Sequence, residues 1–333
     1  MKNWSLAYDK NGGPEQLYEL EGEIPSPGPR DLLVEVRASG LNPADPKIRG
    51  GLRLQGPGPQ VLGFDAAGVV QAVGAQVEDF EPGDSVYYAG AVDRPGSNAR
   101  LQVVDERIVG PKPKSLDFEE AAALPLTSLT AWELLFDRLG FDSRSKGSLL
   151  LLGAAGGVGS MVIQLAKKMT ELQVVATASR AESQAWVREL GADSVLDHRA
   201  DLLEQARTLG LDSVEAAIGI NGVDAQQAAL AELIRPQGKL GLVDDPQAFD
   251  IYHLKLKSIS LHWEFMFTRS LFRTEDMDRQ GKILRRVSEA VDTGEIRTTL
   301  KERLGPLSLK GLREAHERII TSTSLGKLVF SIA

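Results

Sequence analysis

Residues 149–168 read LLLLGAAGGVGSMVIQLAKK, in which an apolar strand runs directly into glycines and the glycines run directly into a helix. The residue Ala154 stands where the dinucleotide-binding pattern G-x-G-x-x-G has its first glycine. Small residues let the backbone approach a pyrophosphate, and the helix start offers free N–H groups. We expect a dinucleotide to bind here; the alternative is a tight turn without a ligand. The predicted cofactor contacts are Gly153, Ala154, Gly156, Gly157, Val158 and Gly159.

Strands and helices alternate around this loop, from residue 125 to residue 264. Strand-like segments such as LQVVATAS, DSVEAAIGI and KLGLVDD are separated by helix-like segments such as AESQAWVRELG. We expect Pro236 and Gly238 to end the helix in DAQQAALAELIRPQG, because proline breaks a helix interior. Six strands with intervening helices predict a parallel, doubly wound sheet, and the fold class is α/β.

The segments on either side of residues 125–264 have a different pattern. Residues 1–124 contain short alternating strands such as DLLVEVRAS, separated by Gly and Pro turns, which predict a barrel-like β domain. The Ala/Leu-rich segment DFEEAAALPLTSLTAWELLFDRL predicts helix broken at Pro125. Residues 265–333 lose the alternation, and they contain a helix with Ser308 as its N-cap and a closing strand. We expect this tail to return to the first domain.

Composition excludes several classes of partner and site. The chain has 333 residues, a formal charge of −8 and an isoelectric point near 5.2, which argue against a nucleic-acid or anionic-membrane partner. It contains no Cys, so disulfides, thiolate zinc sites and a Cys nucleophile are excluded. No apolar run approaches the roughly 18 residues of a membrane span, and the first residues lack a signal-peptide core. We expect a soluble cytoplasmic protein.

The end of the second strand of the predicted sheet indicates which dinucleotide binds. NAD-binding folds place an Asp or Glu there for the ribose hydroxyls. This chain has Ser179 and Arg180, with no carboxylate until Glu182. Because Ser and Arg can bind a 2′-phosphate that a carboxylate would repel, we expect NADP(H); the alternative is a solvated Arg180. Later strand ends are expected to line the same crevice, at Gly219, Asn221, Val243 and Asp244.

A set of segments spread over the whole chain resembles the medium-chain dehydrogenase/reductases, specifically their zinc-free quinone oxidoreductase branch. These segments are SGLNPAD, LGFDAAGVV, PGDSVYY, AAALPLTSLTAWELL, GAAGGVGSMVIQLAK and GADSVLDH. Bacterial proteins labelled zinc-type alcohol dehydrogenase-like contain segments similar to three others in this chain, RPGSNA, HWEFMFTRS and RTTL. The resemblance implies a GroES-like catalytic domain (1–124), a Rossmann NADP(H)-binding domain (125–264), a C-terminal segment that returns to the catalytic domain (265–333), and a homodimer.

The resemblance and the residues disagree about zinc. Zinc-using members of the superfamily ligate the metal with a Cys after the first β segment, with the His of a Gly-His-Glu motif, and with a third Cys or acid. In this chain the Cys position falls near Gly40-Leu41-Asn42, and the His position is Phe64. The four histidines have no neighbour at metal-ligand spacing. We therefore expect no catalytic metal.

The resemblance also implies roles for individual residues, each with a plainer alternative. Asn42 is expected near the nicotinamide and the substrate carbonyl, and Asp45 is expected to organise the loop or a proton path; both residue types also favour turns. Thr127 is expected near the nicotinamide, or it satisfies a backbone carbonyl within a helix. Lys327 is expected near the cofactor phosphates, or it is solvated. A substrate wall is expected from Phe64, Phe265 and Phe267, which are otherwise core or dimer surface.

Many relatives have a Tyr that could touch substrate shortly after the Asn42 segment, whereas this chain has Arg49-Gly50-Gly51-Leu52 there. The proton donor is therefore unassigned, and Tyr87 and Tyr88 are alternatives that also suit a core. The resemblance implies hydride transfer from NADPH to a small quinone or α,β-unsaturated carbonyl. Such acceptors delocalise charge themselves and need no Lewis acid. The alternatives are a zinc-type alcohol or aldehyde dehydrogenase, and a low-turnover NADPH-binding redox sensor.

Overall fold

The computed structural model describes residues 2–51, 56, 58–321 and 325–332. The chain divides into two compact units. The first unit combines Met1–Leu129 with Phe267–Ala333, and the second is Thr130–Met266.

The chain up to residue 132 forms eight strands and three helices within the described residues. They are β1 (Asn3–Tyr8), β2 (Tyr18–Gly22), β3 (Asp31–Gly40), α1 (Ala44–Gly51), β4 (Gln60–Val61), β5 (Ala66–Val73), β6 (Ser85–Tyr88), β7 (Leu101–Asp105), β8 (Val109–Pro111), α2 (Phe118–Ala122) and α3 (Pro125–Trp132). Short 3-10 turns lie at Pro14–Gln16 and Glu106–Ile108.

The second unit alternates between strands and helices after an opening π-helix, Glu133–Arg138. Its elements are β9 (Ser148–Leu152), α4 (Gly157–Met169), β10 (Gln173–Thr177), α5 (Ala181–Glu189), β11 (Ser194–Leu196), α6 (Leu202–Thr208), β12 (Val214–Gly219), α7 (Val223–Leu233), β13 (Ile234–Leu242), α8 (Tyr252–Lys255) and β14 (Ser260–Trp263). The chain then returns to the first unit with α9 (Thr268–Phe272), α10 (Arg279–Asp292), β15 (Leu300–Pro306), α11 (Leu309–Ile320) and β16 (Lys327–Ser331).

The first unit is built around β3, whose alternating side chains bury Val34 and Val36 and leave Arg37 exposed. Its main sheet has the order β15-β16-β3-β5-β6-β8, with β7 also paired to β3. A smaller sheet has the order β2-β1-β4. The C-terminal strand β16 runs antiparallel to β3, with Phe330 opposite Ser39. The tail of the chain is therefore an integral part of the N-terminal sheet.

The second unit contains one parallel sheet in the order β11-β10-β9-β12-β13-β14. Counted from β9, this is strand order 3-2-1-4-5-6, the order of dinucleotide-binding doubly wound folds. Central strand β9 is buried along its whole length, as expected for a strand covered on both faces. The predicted parallel sheet is confirmed, and its strand order reverses between β9 and β12.

The expected end of helix α7 at Pro236 and Gly238 is wrong. The helix ends at Leu233, and both residues lie inside β13. The register between β12 and β13 is irregular between Val214 and Ala216, opposite this stretch, and Gln237 has a φ of 60°. An irregularity of this kind tolerates a proline that cannot donate to the ladder. The helix therefore stops because the chain enters the sheet.

Helix α3 continues beyond Trp132 as a π-helix, a feature that the helical periodicity did not predict. The Leu139 N–H donates to the Leu134 carbonyl over 2.9 Å, five residues back. The Phe141 N–H donates to the Leu135 carbonyl over 3.0 Å. Wide turns of this kind are rare and occur often at functional sites.

Three further features of the fold relate to predictions from the sequence. Ser308 caps α11 as predicted, since its hydroxyl accepts the Gly311 N–H over 3.1 Å. Across the described ranges, every helix is too short or too polar to cross a membrane. The strand β14 pairs with β13 alone in the described sheet, and the homodimer stays a prediction.

Candidate functional site

The turn after β9 has the geometry that a glycine-rich phosphate loop requires. Gly153 has a φ of 76°, in the left-handed region that favours glycine. A Cβ added there would also lie 2.6 Å from Oδ1 of Asn221, which follows β12. The loop after β9 therefore packs against the loop after β12, at the point where the strand order reverses. Ligands of open α/β sheets bind at such a point.

The other two glycines of the loop have different roles. A Cβ added to Gly156 would meet the Gly153 carbonyl at an ordinary 3.7 Å, so this side of the loop is open. A Cβ added to Gly159 would lie 2.5 Å from the Ala154 carbonyl oxygen, so the helix α4 packs directly on the loop. Gly156 is the N-cap of α4, and the first turn has no acidic residue. This open cradle at a helix N-terminus fits a dinucleotide pyrophosphate.

Exposure divides the predicted loop contacts into two groups. Gly153, Gly156, Gly157 and Val158 are partly exposed, whereas Ala154 and Gly159 are buried. The first four can reach a ligand. The buried Ala154 and Gly159 allow the helix and loop to approach.

The carboxyl ends of β12 and β13 are held together by backbone bonds. Val243 and Asp244 both donate their N–H groups to the Gly219 carbonyl, over 2.9 and 3.3 Å. The Asp244 carboxylate also accepts the Val223 N–H at the start of α7, over 3.1 Å. Asn221, which lies in the chain between Gly219 and Val223, is exposed. The structure thus brings all four predicted strand-end residues to the same edge of the sheet as the glycine loop.

The end of β10 carries the residues expected to choose between the two dinucleotides. Ser179 is partly exposed and Arg180, the N-cap of α5, is exposed. A second cation, Arg199, lies beside them and donates from Nη2 to the Ser179 carbonyl. It is also bonded to Asp197, and this contact lowers the pKa of that carboxyl to about 2. Sequence reasoning missed Arg199, although its place directly after the third strand was a signal.

A buried polar cluster lies in the first unit and is formed by Asn42, Asp45, Asp65 and Lys327, which are each at most 3% exposed. Lys327 Nζ donates to the Leu41 carbonyl and to Asn42 Oδ1, each over 2.6 Å, and to Asp65 Oδ2 over 2.8 Å. The Asn42 amide donates to Asp65 Oδ2 over 2.8 Å. We call these four residues the Lys327 cluster.

Backbone N–H groups complete the hydrogen bonding of both carboxylates in the Lys327 cluster. Asp45 accepts the Asn42 N–H over 2.8 Å and the Gly63 N–H over 2.9 Å. Asp65 accepts the Leu126 N–H over 2.7 Å. Burial raises the pKa of Asp45 to about 7 and also raises the pKa of Asp65, while these hydrogen bonds and the Lys327 charge oppose the rise.

The contacts of the Lys327 cluster change the interpretation of three predicted site residues. The three donors of Lys327 all have acceptors inside the first unit, so this geometry does not support its role as a phosphate ligand. Asn42 is 1% exposed, with its amide nitrogen and oxygen both bonded to protein. Asp45 ties Asn42 to Gly63 and organises the loop, one of the two roles expected for it.

The structure places the three predicted substrate-wall residues in different surroundings. Phe64 and Phe267 are buried in the first unit, with ring centroids 5.1 Å apart in an edge-on arrangement. Phe265 belongs to the second unit and is 48% exposed. Phe64 and Phe267 are therefore core of the first unit, whereas Phe265 is not buried.

Other hydroxyl groups considered from the sequence are used internally. Thr127 donates from Oγ1 to the Leu124 carbonyl over 3.0 Å, the plainer alternative stated for it. Tyr87 donates to the Leu284 carbonyl over 2.5 Å, and Tyr88 donates to Gln102 Oε1 over 3.0 Å. Burial raises the pKa of both tyrosines. The two tyrosines are core residues, not exposed proton donors.

Replacing Lys327 by Met should lower the free energy of unfolding by about 3–5 kcal/mol, because Asp65 would remain buried without its cation. The loss should be smaller near pH 5 than near pH 8. Burial raises the pKa of Asp65 and Lys327 opposes the rise, so removal of Lys327 raises this pKa further, and the variant regains stability as the carboxyl takes up a proton at lower pH. Chemical denaturation at the two pH values measures both effects.

The control for this variant is Lys282→Met, which removes an exposed lysine that pairs with Asp278. Exposed pairs contribute at most about 1 kcal/mol. Equal losses in the two variants would contradict a structural role for the Lys327 cluster.

Replacing Gly156 by Val should weaken dinucleotide binding by at least about tenfold, or about 1.4 kcal/mol, because the new side chain fills the cradle. The fold should survive, since the added Cβ has only an ordinary contact and the φ of −75° suits any residue. Dye-monitored melting and a fluorescence titration with NADPH measure the two quantities. Gly159→Ala is the matched control that should destabilise the protein, since its Cβ would clash with backbone. Unchanged affinity in Gly156→Val would place the pyrophosphate elsewhere.

Comparison with protein families and relatives agrees with this geometry. A family model described as an alcohol dehydrogenase GroES-like domain matches residues 28–114, and a zinc-binding dehydrogenase model matches residues 157–279. A zinc-type alcohol dehydrogenase-like protein of Staphylococcus aureus (strain MSSA476) is 39% identical, and the match covers 94% of each chain. The 2-methylene-furan-3-one reductase of Solanum lycopersicum is 32% identical, over 99% of this chain and 78% of that protein.

Solved structures similar to this one span the whole chain. A protein from Rhizobium etli CFN 42 described as a zinc-dependent alcohol dehydrogenase has a TM-score of 0.94 and 45% identity, covering 99% of this chain and 98% of that one. The quinone oxidoreductase from Coxiella burnetii has a TM-score of 0.83 and 26% identity over 100% of both chains. A mycobacterial protein in complex with NADPH has a TM-score of 0.84 and 26% identity over 99% of both chains. The chain therefore belongs to the medium-chain dehydrogenase/reductase superfamily, as an oxidoreductase with a GroES-like domain and a parallel-sheet Rossmann-type domain.

Proposed function

We propose that this protein is an NADPH-dependent reductase of quinones or α,β-unsaturated carbonyl compounds that works without a catalytic metal. One observation carries the proposal: Phe64 stands at the position that the superfamily resemblance assigns to a zinc-binding His, and Asn42, which lies near the Cys position, is bonded through Oδ1 to Lys327. An oxidoreductase without a Lewis acid is suited to acceptors that stabilise the added charge themselves.

The residues at these positions do not fit a catalytic zinc. Phe64 offers no ligand atom, and Asn42 lies near the position expected for a Cys. The Lys327 ammonium already binds Asp65 Oδ2 and Asn42 Oδ1, so a divalent cation would meet a positive charge at these oxygens. Within the part of the chain that the structure describes, no group of three or more His, Cys, Asp or Glu side chains is arranged to hold a metal. The proposed reaction therefore uses no zinc.

The residues of the second unit fit a nicotinamide dinucleotide. Gly156 and Gly157 would approach its pyrophosphate at the start of α4, and Asn221, Val243 and Asp244 lie at the same edge of the sheet. The exposed Arg180 would face a 2′-phosphate with Ser179, and Arg199 adds a second positive charge there. The similar mycobacterial structure contains NADPH, which supports the same choice.

Two relatives support a conjugated acceptor. One is a quinone oxidoreductase, and the other acts on a 2-methylene-furan-3-one, in which a C=C bond is conjugated with a ketone. The bound cofactor supplies a hydride, and the reduction of a conjugated C=C or of a quinone is completed by a proton. The buried Asn42, Asp45, Tyr87 and Tyr88 have internal partners, so we propose that the proton comes from solvent.

The names of the relatives favour a second candidate, a zinc-type alcohol or aldehyde dehydrogenase. It requires about one tightly bound zinc per chain and turnover that a chelator abolishes. Elemental analysis of the purified protein therefore separates the two candidates before any substrate is known.

The experiment that tests the proposal follows the loss of NADPH absorbance with four acceptors: a benzoquinone, a naphthoquinone, an enone and a simple aldehyde. We expect turnover of the conjugated acceptors, little turnover of the aldehyde, and no effect of a chelator. Chelator-sensitive turnover of the aldehyde would overturn the metal-free assignment. Binding of NADPH with no turnover of any acceptor would instead favour a redox sensor.

Replacing Arg180 by Glu should weaken NADPH binding by about ten- to hundredfold, because a charge-assisted hydrogen bond contributes about 1.5–3 kcal/mol. NADH binding should change little, since NADH lacks the 2′-phosphate. Isothermal titration with each nucleotide measures the difference. Arg188→Glu makes the same charge change in the last turn of the same helix and should leave the ratio of the two affinities unchanged. Equal weakening of NADPH and NADH by Arg180→Glu would remove the 2′-phosphate assignment.

A further inference from the structure

A small cavity lies in the first unit, outside the sites described above. Its walls come from the loop after β6, the end of β7 with the 3-10 turn that follows it, helix α9 and the segment between α9 and α10. Its volume is about 210 Å³, and all of its lining residues belong to the first unit. We call it the Arg273 cavity, after the lining residue that ends α9.

Two arginines in the wall of the Arg273 cavity are held by acids of the fold. Arg94 donates from Nη1 and Nη2 to the two carboxylate oxygens of Asp31, over 2.8 and 3.0 Å. Arg107 donates from Nε and Nη2 to the two oxygens of Asp105, over 2.9 and 2.8 Å. Burial acts to raise the pKa of Asp105, but the bonds with Arg107 outweigh it and hold that pKa below its usual range. The charges of Arg94 and Arg107 are therefore balanced within the protein.

The two other charged residues in the wall, Arg273 and Asp93, are not balanced in this way. Neither side chain forms an ion pair or a hydrogen bond with another residue in the part of the chain that the structure describes. Arg273 is exposed, whereas Asp93 is partly buried and its Oδ1 is fully buried. The guanidinium of Arg94, next to Asp93 in the chain, is bonded to Asp31. The cavity thus presents one unpaired basic group and one unpaired acidic group.

The backbone of Arg273 indicates that its side chain has a use. Its φ and ψ are both 49°, in the left-handed region, and its N–H donates to the Arg269 carbonyl to end the helix. Helices commonly end in this conformation, and glycine is the residue that adopts it without strain. An arginine at this position costs stability and adds a guanidinium. Strained residues of this kind cluster at ligand sites.

The remaining wall of the cavity is largely apolar. Ala91, Ile108 and Met277 line it, and each is at most 8% exposed. A volume of about 210 Å³ equals that of about seven molecules of liquid water, at about 30 Å³ each. An α-amino acid such as valine has a similar number of non-hydrogen atoms. The size and the apolar wall therefore suit a small molecule with a short hydrocarbon side chain.

We propose that the Arg273 cavity binds a small zwitterion, namely an α-amino acid with a short apolar side chain. The ligand carboxylate pairs with the guanidinium of Arg273, whose N–H groups match two carboxylate oxygens. The ligand ammonium donates to the Asp93 carboxylate, and its side chain packs on the apolar wall. An anion alone would be repelled by Asp93, and a cation alone would be repelled by Arg273. A molecule that carries both charges satisfies both residues.

The test is isothermal titration of the full-length protein with glycine, alanine and valine. Two further ligands each keep one charge of valine: isovalerate lacks the ammonium, and isobutylamine lacks the carboxylate. We expect valine to bind with a dissociation constant of about 1 mM or lower. Each half-ligand should bind at least about tenfold more weakly, because it loses one charge-assisted hydrogen bond. Absence of binding by all three amino acids, or equal binding of valine and isovalerate, would overturn the proposal.

Replacing Arg273 by Gly should separate binding from stability. Valine affinity should fall by at least about tenfold, whereas isobutylamine should bind at least as tightly as it does to wild type, because the repulsion is removed. The folding equilibrium constant should rise by roughly threefold or more, since the left-handed backbone strains an arginine and not a glycine. Chemical denaturation measures this second effect. Unchanged valine affinity in Arg273→Gly would overturn the proposal.

Replacing Asp93 by Asn should give the opposite selectivity. Valine affinity should again fall by at least about tenfold, but here isovalerate should bind at least as tightly as it does to wild type. An anion site without a role for Asp93 would keep its valine affinity in this variant, and that result would also overturn the proposal.

The matched controls are Arg285→Gln and Asp79→Asn, which each remove one exposed charge outside the cavity. Both should keep the wild-type affinity for valine. Equal losses in the controls and in the cavity variants would assign the effects to general electrostatics and would contradict the site. These titrations contain no dinucleotide, so their outcome is independent of the NADPH assays and of the proposed function.

Discussion

The bond between Lys327 and Asp65 is the contact on which the first unit depends most. The two residues are 262 positions apart, and both are buried. The desolvation cost of burying an ammonium and a carboxylate is offset only when the two groups pair with each other and form further hydrogen bonds. Lys327 finds these at the loop after β3, and Asp65 finds another at the start of α3. The charges therefore require β16, β3, β5 and α3 to meet at one place, and the C-terminal tail cannot lie elsewhere without a buried charge losing its partner.

The contact between Lys327 and Asp65 also bears on the chemistry of the first unit. The oxygens that could attract a cation, Asp65 Oδ2 and Asn42 Oδ1, already bind an ammonium that is covalently part of the fold. Phe64 packs edge-on against Phe267 and adds apolar surface beside these oxygens. Such a unit retains the scaffold of its superfamily while its own lysine supplies the positive charge. The proposed acceptors, conjugated carbonyls and quinones, stabilise the added charge themselves and suit a unit of this kind.

Features that depend on local chemistry could be predicted from the sequence, and features that depend on distant partners could not. The strand before Gly153, the helix after Gly156 and the cap at Ser308 follow from neighbouring residues, and the structure contains all three. Pro236 lies in β13 rather than at a helix end, because an irregular register between β12 and β13 tolerates a proline there. The partners of Asn42 and Lys327, and the charge at Arg199, come from other parts of the chain. Tertiary contacts therefore decide which of several locally reasonable roles a polar residue takes.

Loop backbone meets part of the electrostatic cost of the Lys327 cluster. The cluster holds two carboxyl groups and one ammonium, all of them buried. Asp45 and Asp65 accept the N–H groups of Asn42, Gly63 and Leu126, and these hydrogen bonds oppose the rise that burial imposes on the pKa of both acids. The hydrogen bonding of the two acids therefore depends on the loop conformations after β3 and before β5 and on the start of α3.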